Sequence, residues 1–127
     1  MIDDAIGAAD MAWWIMELPS GTVFFSPNKL TMLGYPAADA SKFAHYKDFM
    51  KLVHPEDQEP AMQAMRDLLE GRKDIYETQY RIKNAEGGYT VYYDRGRITA
   101  KNGQGEVAVA GLVTNMTNYA ALEPVAV

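Results

Sequence analysis

Apolar residues change their spacing along the chain, and each change predicts a different element. Ile2, Ala5, Ile6, Ala9 and Met11 recur at helical spacing. Asp3 and Asp4 lie in the first turn, where acids complement the positive helix end. A short helix over 2–11 is predicted. The period then falls to two, giving strands over 12–18 and 22–26 joined into a hairpin by Pro19-Ser20-Gly21. Alternation puts Trp14, Met16 and Leu18 on one face, and Val23 with Phe25 on one face of the next strand. Ser26-Pro27 starts a helix that Gly34 ends. Beyond the break at Pro36, residues 37–41 form a single turn and 46–53 a short helix. Pro55 opens a longer helix reaching about Gly71, with Ala61, Met65, Leu68 and Leu69 as its buried stripe. Period two then returns, giving strands over 75–82, 89–100 and 106–117. The turns between them, 85–88 and 101–105, both carry glycine. Strands at both ends of a helical middle predict an α+β fold with an antiparallel sheet.

Composition narrows this to one ordered domain. The chain has 127 residues, 48% of them hydrophobic and 23% charged, enough to bury a core and too apolar for disorder. A net charge of −5 argues against nucleic acid or an anionic membrane as partner. No apolar run approaches the roughly 20 residues of a membrane span. Met1-Ile2-Asp3-Asp4 is unlike a signal peptide, and a cytoplasmic location is expected, alone or as part of a membrane-bound receptor. The apolar tail 118–127, with Pro124, reads as the start of a linker to an output domain.

The candidate chemistry is sparse. His54-Pro55-Glu56-Asp57 places an imidazole beside two carboxylates, which an acid–base enzyme would use. The same residues suit a helix start, with proline in the first turn and acids facing the dipole, and that reading is preferred. His45 and His54 lie on different elements with no third ligand in view, so no metal site is expected. No cofactor is evident. There is no cysteine for a flavin adduct, and nothing asks for non-covalent flavin. Haem would have to use His45 or His54. The candidate cavity residues are Trp14, Met16, Phe25, Leu30, Leu33, Met65, Tyr80, Val91 and Val109, expected to cluster between sheet and helices. Eight methionines suit an adaptable pocket for a small apolar or aromatic ligand.

Short motifs follow one another in a compact order. They are Trp14-Ile15-Met16-Glu17-Leu18-Pro19-Ser20-Gly21, Met32-Leu33-Gly34-Tyr35, Leu52-Val53-His54-Pro55-Glu56-Asp57, Gln79-Tyr80-Arg81-Ile82, Glu86-Gly87-Gly88-Tyr89, Asp94-Arg95-Gly96 and Asn115-Met116-Thr117. In this order they resemble the PAS sensory-domain family, in the subgroup with a His-Pro-acid-Asp turn. The resemblance implies a single domain over 12–117 behind an N-terminal cap helix over 1–11. It also implies a five-stranded antiparallel sheet of order 2-1-5-4-3 with helices on one face. The implied function is a sensory and relay module. It would be the input part of a bacterial or archaeal histidine kinase or diguanylate cyclase, would work as a homodimer and would not itself be an enzyme. The alternatives are a ligand-free protein-interaction module and a small enzyme using His54 and Asp57. The chain departs from the family pattern at Asn115, where an aspartate is usual, and at Met16, Glu17, Gln79 and Val91.

Overall fold

The computed structural model describes residues 2–119. Helix α1 (Ile2–Ala8) is followed by strands β1 (Met11–Leu18) and β2 (Thr22–Phe25). Then come α2 (Asn28–Thr31), a 3-10 turn (Ala37–Lys42), α3 (Tyr46–Met50) and α4 (Pro55–Leu69). Strands β3 (Tyr76–Lys83), β4 (Tyr89–Lys101) and β5 (Val107–Asn115) complete the order. All pairings are antiparallel, in the order β2-β1-β5-β4-β3. First and last strands therefore meet at the centre of the sheet, with Trp14 opposite Gly111.

Boundaries moved by a few residues. The first helix stops at Ala8, and β1 begins at Met11, because Asp10 takes a left-handed conformation (φ 58) that ends the helix. Ala5 is exposed, and Ile6 and Ala9 are half-buried. Of the tail expected over 118–127, residues 120–127 lie outside the described residues.

The two inner helices are tied to opposite edges of the sheet. His45 caps α3: its Nδ1 accepts from the Lys47 amide at 3.1 Å, and Asp48 accepts from the His45 amide at 3.0 Å. The Tyr46 amide donates to the Gly21 carbonyl, and the Val23 amide to Ala44, at 3.0 Å each. Gly21 has φ 80, and a Cβ there would collide with the His45 ring. At the other edge, His54 caps α4 by accepting from the Glu56 amide at 3.1 Å. Asp57 accepts from the Arg81 amide at 2.8 Å and from its Nε and Nη2 at 2.9 Å each. The His54 turn is thus a helix start that also clasps β3. The guanidinium holds the Asp57 carboxyl down at about 2.

The core lies between the inner sheet face and these helices. One row across the sheet reads Phe25, Trp14, Gly111, Gly96, Tyr76. The two glycines leave the space that the Trp14 indole fills: a Cβ at Gly96 would stand 2.8 Å from Trp14 Cη2. Tyr76 meets the indole edge-on, with ring centroids 5.9 Å apart.

Candidate ligand cavity

Strand alternation turns Trp14, Met16, Val23, Phe25, Tyr76 and Tyr80 toward the helices, where α3 and α4 do not close over them completely. A cavity of about 240 Å³ remains. Phe49 and Met50 of α3 and Ala61, Met65 and Leu69 of α4 form its opposite wall. Phe25 and Phe49 meet edge-to-face with centroids 5.0 Å apart. The lining is mainly hydrocarbon and aromatic, the usual character of a small-molecule site.

Two buried charges stand in this wall. Asp94 points inward from β4 and is 5% exposed. Its Oδ1 accepts from Trp14 Nε1 at 2.6 Å and its Oδ2 from the Tyr80 hydroxyl at 2.8 Å. The Arg95 backbone amide donates to it as well. Burial pushes the Asp94 carboxyl up to about 6, while Lys29 and these donors pull the other way. Lys29, on α2, is 7% exposed, and the Tyr92 hydroxyl bonds its backbone carbonyl at 2.8 Å. Its Nζ stands 3.2 Å from the centre of the Phe49 ring, a cation–π contact. Burial lowers the ammonium to about 8, partly offset by the charge of Asp94. Burial also drives the Tyr76 and Tyr80 hydroxyls well above their ordinary value, with Asp94 adding to the effect.

Of the residues expected to form the cavity, the structure brings together Trp14, Met16, Phe25, Met65 and Tyr80. The other four stand elsewhere. Leu30, Leu33 and Val109 are buried core residues, but they fill space and do not border the cavity. Leu33 lies at the β3–β4 hairpin, where its carbonyl accepts from the Ala85 amide at 2.9 Å. Val109 pairs with Met16 and Ile98 in the sheet, where it is closed over. Val91 is on the wrong face. Tyr92, Asp94 and Gly96 are the buried, inward set of β4, so Val91 and Tyr93 face outward.

Lys29 and Asp94 were the residues that sequence reasoning missed. Asp94 carried a usable signal, since it sits at the same parity as Tyr92 and Gly96. Lys29 carried none, because one lysine in a four-residue helix looks like a solvated position. His45 and His54 do not line the cavity, and each uses Nδ1 as a helix cap. No group of three metal-ligating side chains occurs among the described residues. At the end of β5, Asn115 Oδ1 accepts from the Thr117 amide at 2.9 Å and hydroxyl at 2.7 Å, forming a local turn.

A family model described as the PAS fold matches residues 22–113, well over half of the chain. Among solved structures, a sensory box histidine kinase/response regulator from Burkholderia thailandensis is similar with a TM-score of 0.72 and 20% identity, covering 92% of this chain and 85% of that one. The N-terminal domain of a diguanylate cyclase with PAS/PAC sensor from Marinobacter aquaeolei gives 0.71 and 22%, covering 85% and 96%. A domain of a light and redox sensing histidine kinase, so described, from Haloarcula marismortui gives 0.71 and 21%, covering 91% and 97%. No curated protein matches the sequence.

Proposed function

The chain belongs to the PAS fold family, and from that premise we propose that it is a sensory and relay module that binds a small apolar or aromatic ligand in the cavity between sheet and helices. The observation that carries this is the cavity itself: about 240 Å³, walled by aromatic and methionine side chains, with an inward cation and anion in the same wall. A domain built only to be solid would close such a space, since interiors pack to crystal-like density. The similar domains of a histidine kinase and a diguanylate cyclase support an input role beside an output domain of those types. The module works as a homodimer in the cytoplasm, alone or as the cytoplasmic part of a membrane-bound receptor. It senses and does not catalyse.

Native mass spectrometry of freshly purified protein tests this. The expected result is a mass above that of the apoprotein, lost when Met65→Trp fills the cavity. Apoprotein mass, together with no thermal shift from a panel of small apolar compounds, would replace ligand sensing with the second reading. That reading is a ligand-free interaction module. It is favoured by Ile15 and Phe24, paired neighbours on the outer sheet face that are 37% and 51% exposed.

A further inference from the structure

We propose that Lys29 anchors the carboxylate of a small aromatic acid, of the arylacetate class, inside the cavity. This rests on the cavity being a ligand site, as argued above. The polar groups of the cavity are unequally served. Asp94 is fully served, with Trp14, Tyr80 and the Arg95 amide all donating to it. Lys29 is not. The residue is more than nine-tenths buried and borders the cavity, yet among the described residues its ammonium makes no hydrogen bond or ion pair. The Phe49 ring face is its near neighbour, and Asp94 acts on it only through its field. No fully buried side-chain nitrogen or oxygen among the described residues lacks a partner, so this ammonium meets the open cavity, and what it can take there is an acceptor and not a donor.

The remaining features define the rest of the ligand. A carboxylate supplies acceptor and countercharge together, which a neutral carbonyl does not. The rings of Trp14, Phe25, Phe49 and Tyr76 form the adjoining walls and suit a flat aromatic body. About 240 Å³ is roughly eight waters' worth of volume at about 30 Å³ each, room for a ring system with a short acid arm. The second negative charge is accommodated by Asp94, whose carboxyl already titrates at about 6 and takes up a proton when the acid enters.

Isothermal titration calorimetry of the full chain with phenylacetate and indole-3-acetate, against phenylacetamide and indole-3-acetamide, tests the assignment. The acids should bind at least about tenfold more tightly than the amides, and Lys29→Met should abolish that preference by weakening the acids far more than the amides. Amides that bind as well as acids, or an acid preference that survives Lys29→Met, would overturn the anchor and leave the cavity standing as a ligand site. Binding of neither acids nor amides would remove both proposals. Where Lys29→Met fails to fold, the pH profile of the natural protein decides. Acid affinity should fall about tenfold per pH unit from the proton that Asp94 takes up, and the fall should steepen between about pH 7 and pH 9 as Lys29 loses its own, with amide affinity flat. The other titratable and charged groups bordering the cavity are Asp94, Tyr46, Tyr76, Tyr80 and Arg66. Parallel profiles for acid and amide would refute the role of the ammonium.

Discussion

Replacing Asp94 by asparagine removes a buried charge while keeping its shape, and the expected effect depends on pH. An acid whose carboxyl rises from 3.8 to about 6 on folding binds its proton more tightly in the folded state. That difference is fully present below pH 3.8 and is lost as pH rises through 6. At 1.36 kcal/mol per pH unit it amounts to about 3 kcal/mol. Natural protein should therefore lose stability between pH 4 and pH 7 from this group alone. Asp94→Asn should not, because its Oδ1 can still accept from Trp14 and its amide can donate to the Tyr80 oxygen. The two proteins should differ by about 3 kcal/mol in how stability changes across that window. At pH 7 the variant forgoes the cost of burying the charge, but Lys29 also loses a favourable field. The pH dependence, not the absolute value, is thus the clean quantity. Urea melts at several pH values measure it, and taking the difference cancels the other titrating groups. Asp57 stays outside the window, since its carboxyl titrates at about 2. Identical pH profiles for the two proteins would show that Asp94 is not a desolvated carboxylate.

Three further outcomes are expected. Asp57→Ala removes the bonds from Arg81 that hold α4 to β3; with the guanidinium partly exposed, the loss should be about 1–2 kcal/mol in a urea melt. Because that carboxyl is depressed, its contribution is present above pH 3.8 and disappears as pH falls through 2. Gly96→Ala drives a Cβ to within 2.8 Å of Trp14 and 2.9 Å of the Ala110 carbonyl, and should cost about 1–3 kcal/mol by thermal melt; an unchanged melt would show that the indole can shift. Deleting residues 1–9 should convert a dimer to a monomer in sedimentation, and an intact chain sedimenting as a monomer at high concentration would discard the dimer.

Most of the fold was legible because turn chemistry and periodicity agreed. Pro19-Ser20-Gly21, Ser26-Pro27 and His54-Pro55 each sit at a boundary the structure keeps within a residue or two. The strand order was not legible from spacing. Pairing Trp14 with Gly111 is a contact between distant parts of the chain, and only the family resemblance implied it. In the cavity, β1 and β2 were readable because their inward residues are large and apolar. β4 was not. Its inward face interrupts Tyr92 and Ile98 with Asp94 and Gly96, while Val91 and Tyr93 face out, so a search for large apolar residues picks Val91 wrongly. The interruption follows from the site: the glycine yields space to the Trp14 indole, and the acid is buried only because Trp14 and Tyr80 supply its bonds. Leu30, Leu33 and Val109 were rightly read as interior, but periodicity distinguishes inside from outside and not a filled interior from a hollow one.

The attachment of the two inner helices has a mechanical consequence. Helix α3 is fastened to β2 through Gly21, Val23 and His45, and α4 to β3 through His54 and Asp57. These strands are the two margins of the sheet, so neither helix can move outward without taking a margin with it. A guest that widens the cavity must therefore change the twist of the sheet as a whole, as covers hinged at opposite margins flex the page between them. At the centre β1 and β5 run side by side, the one following α1 and the other ending just before the last described residues. On the proposed reading, occupancy in the hollow would be felt as a change of angle between α1 and the end of β5, without any single contact having to break.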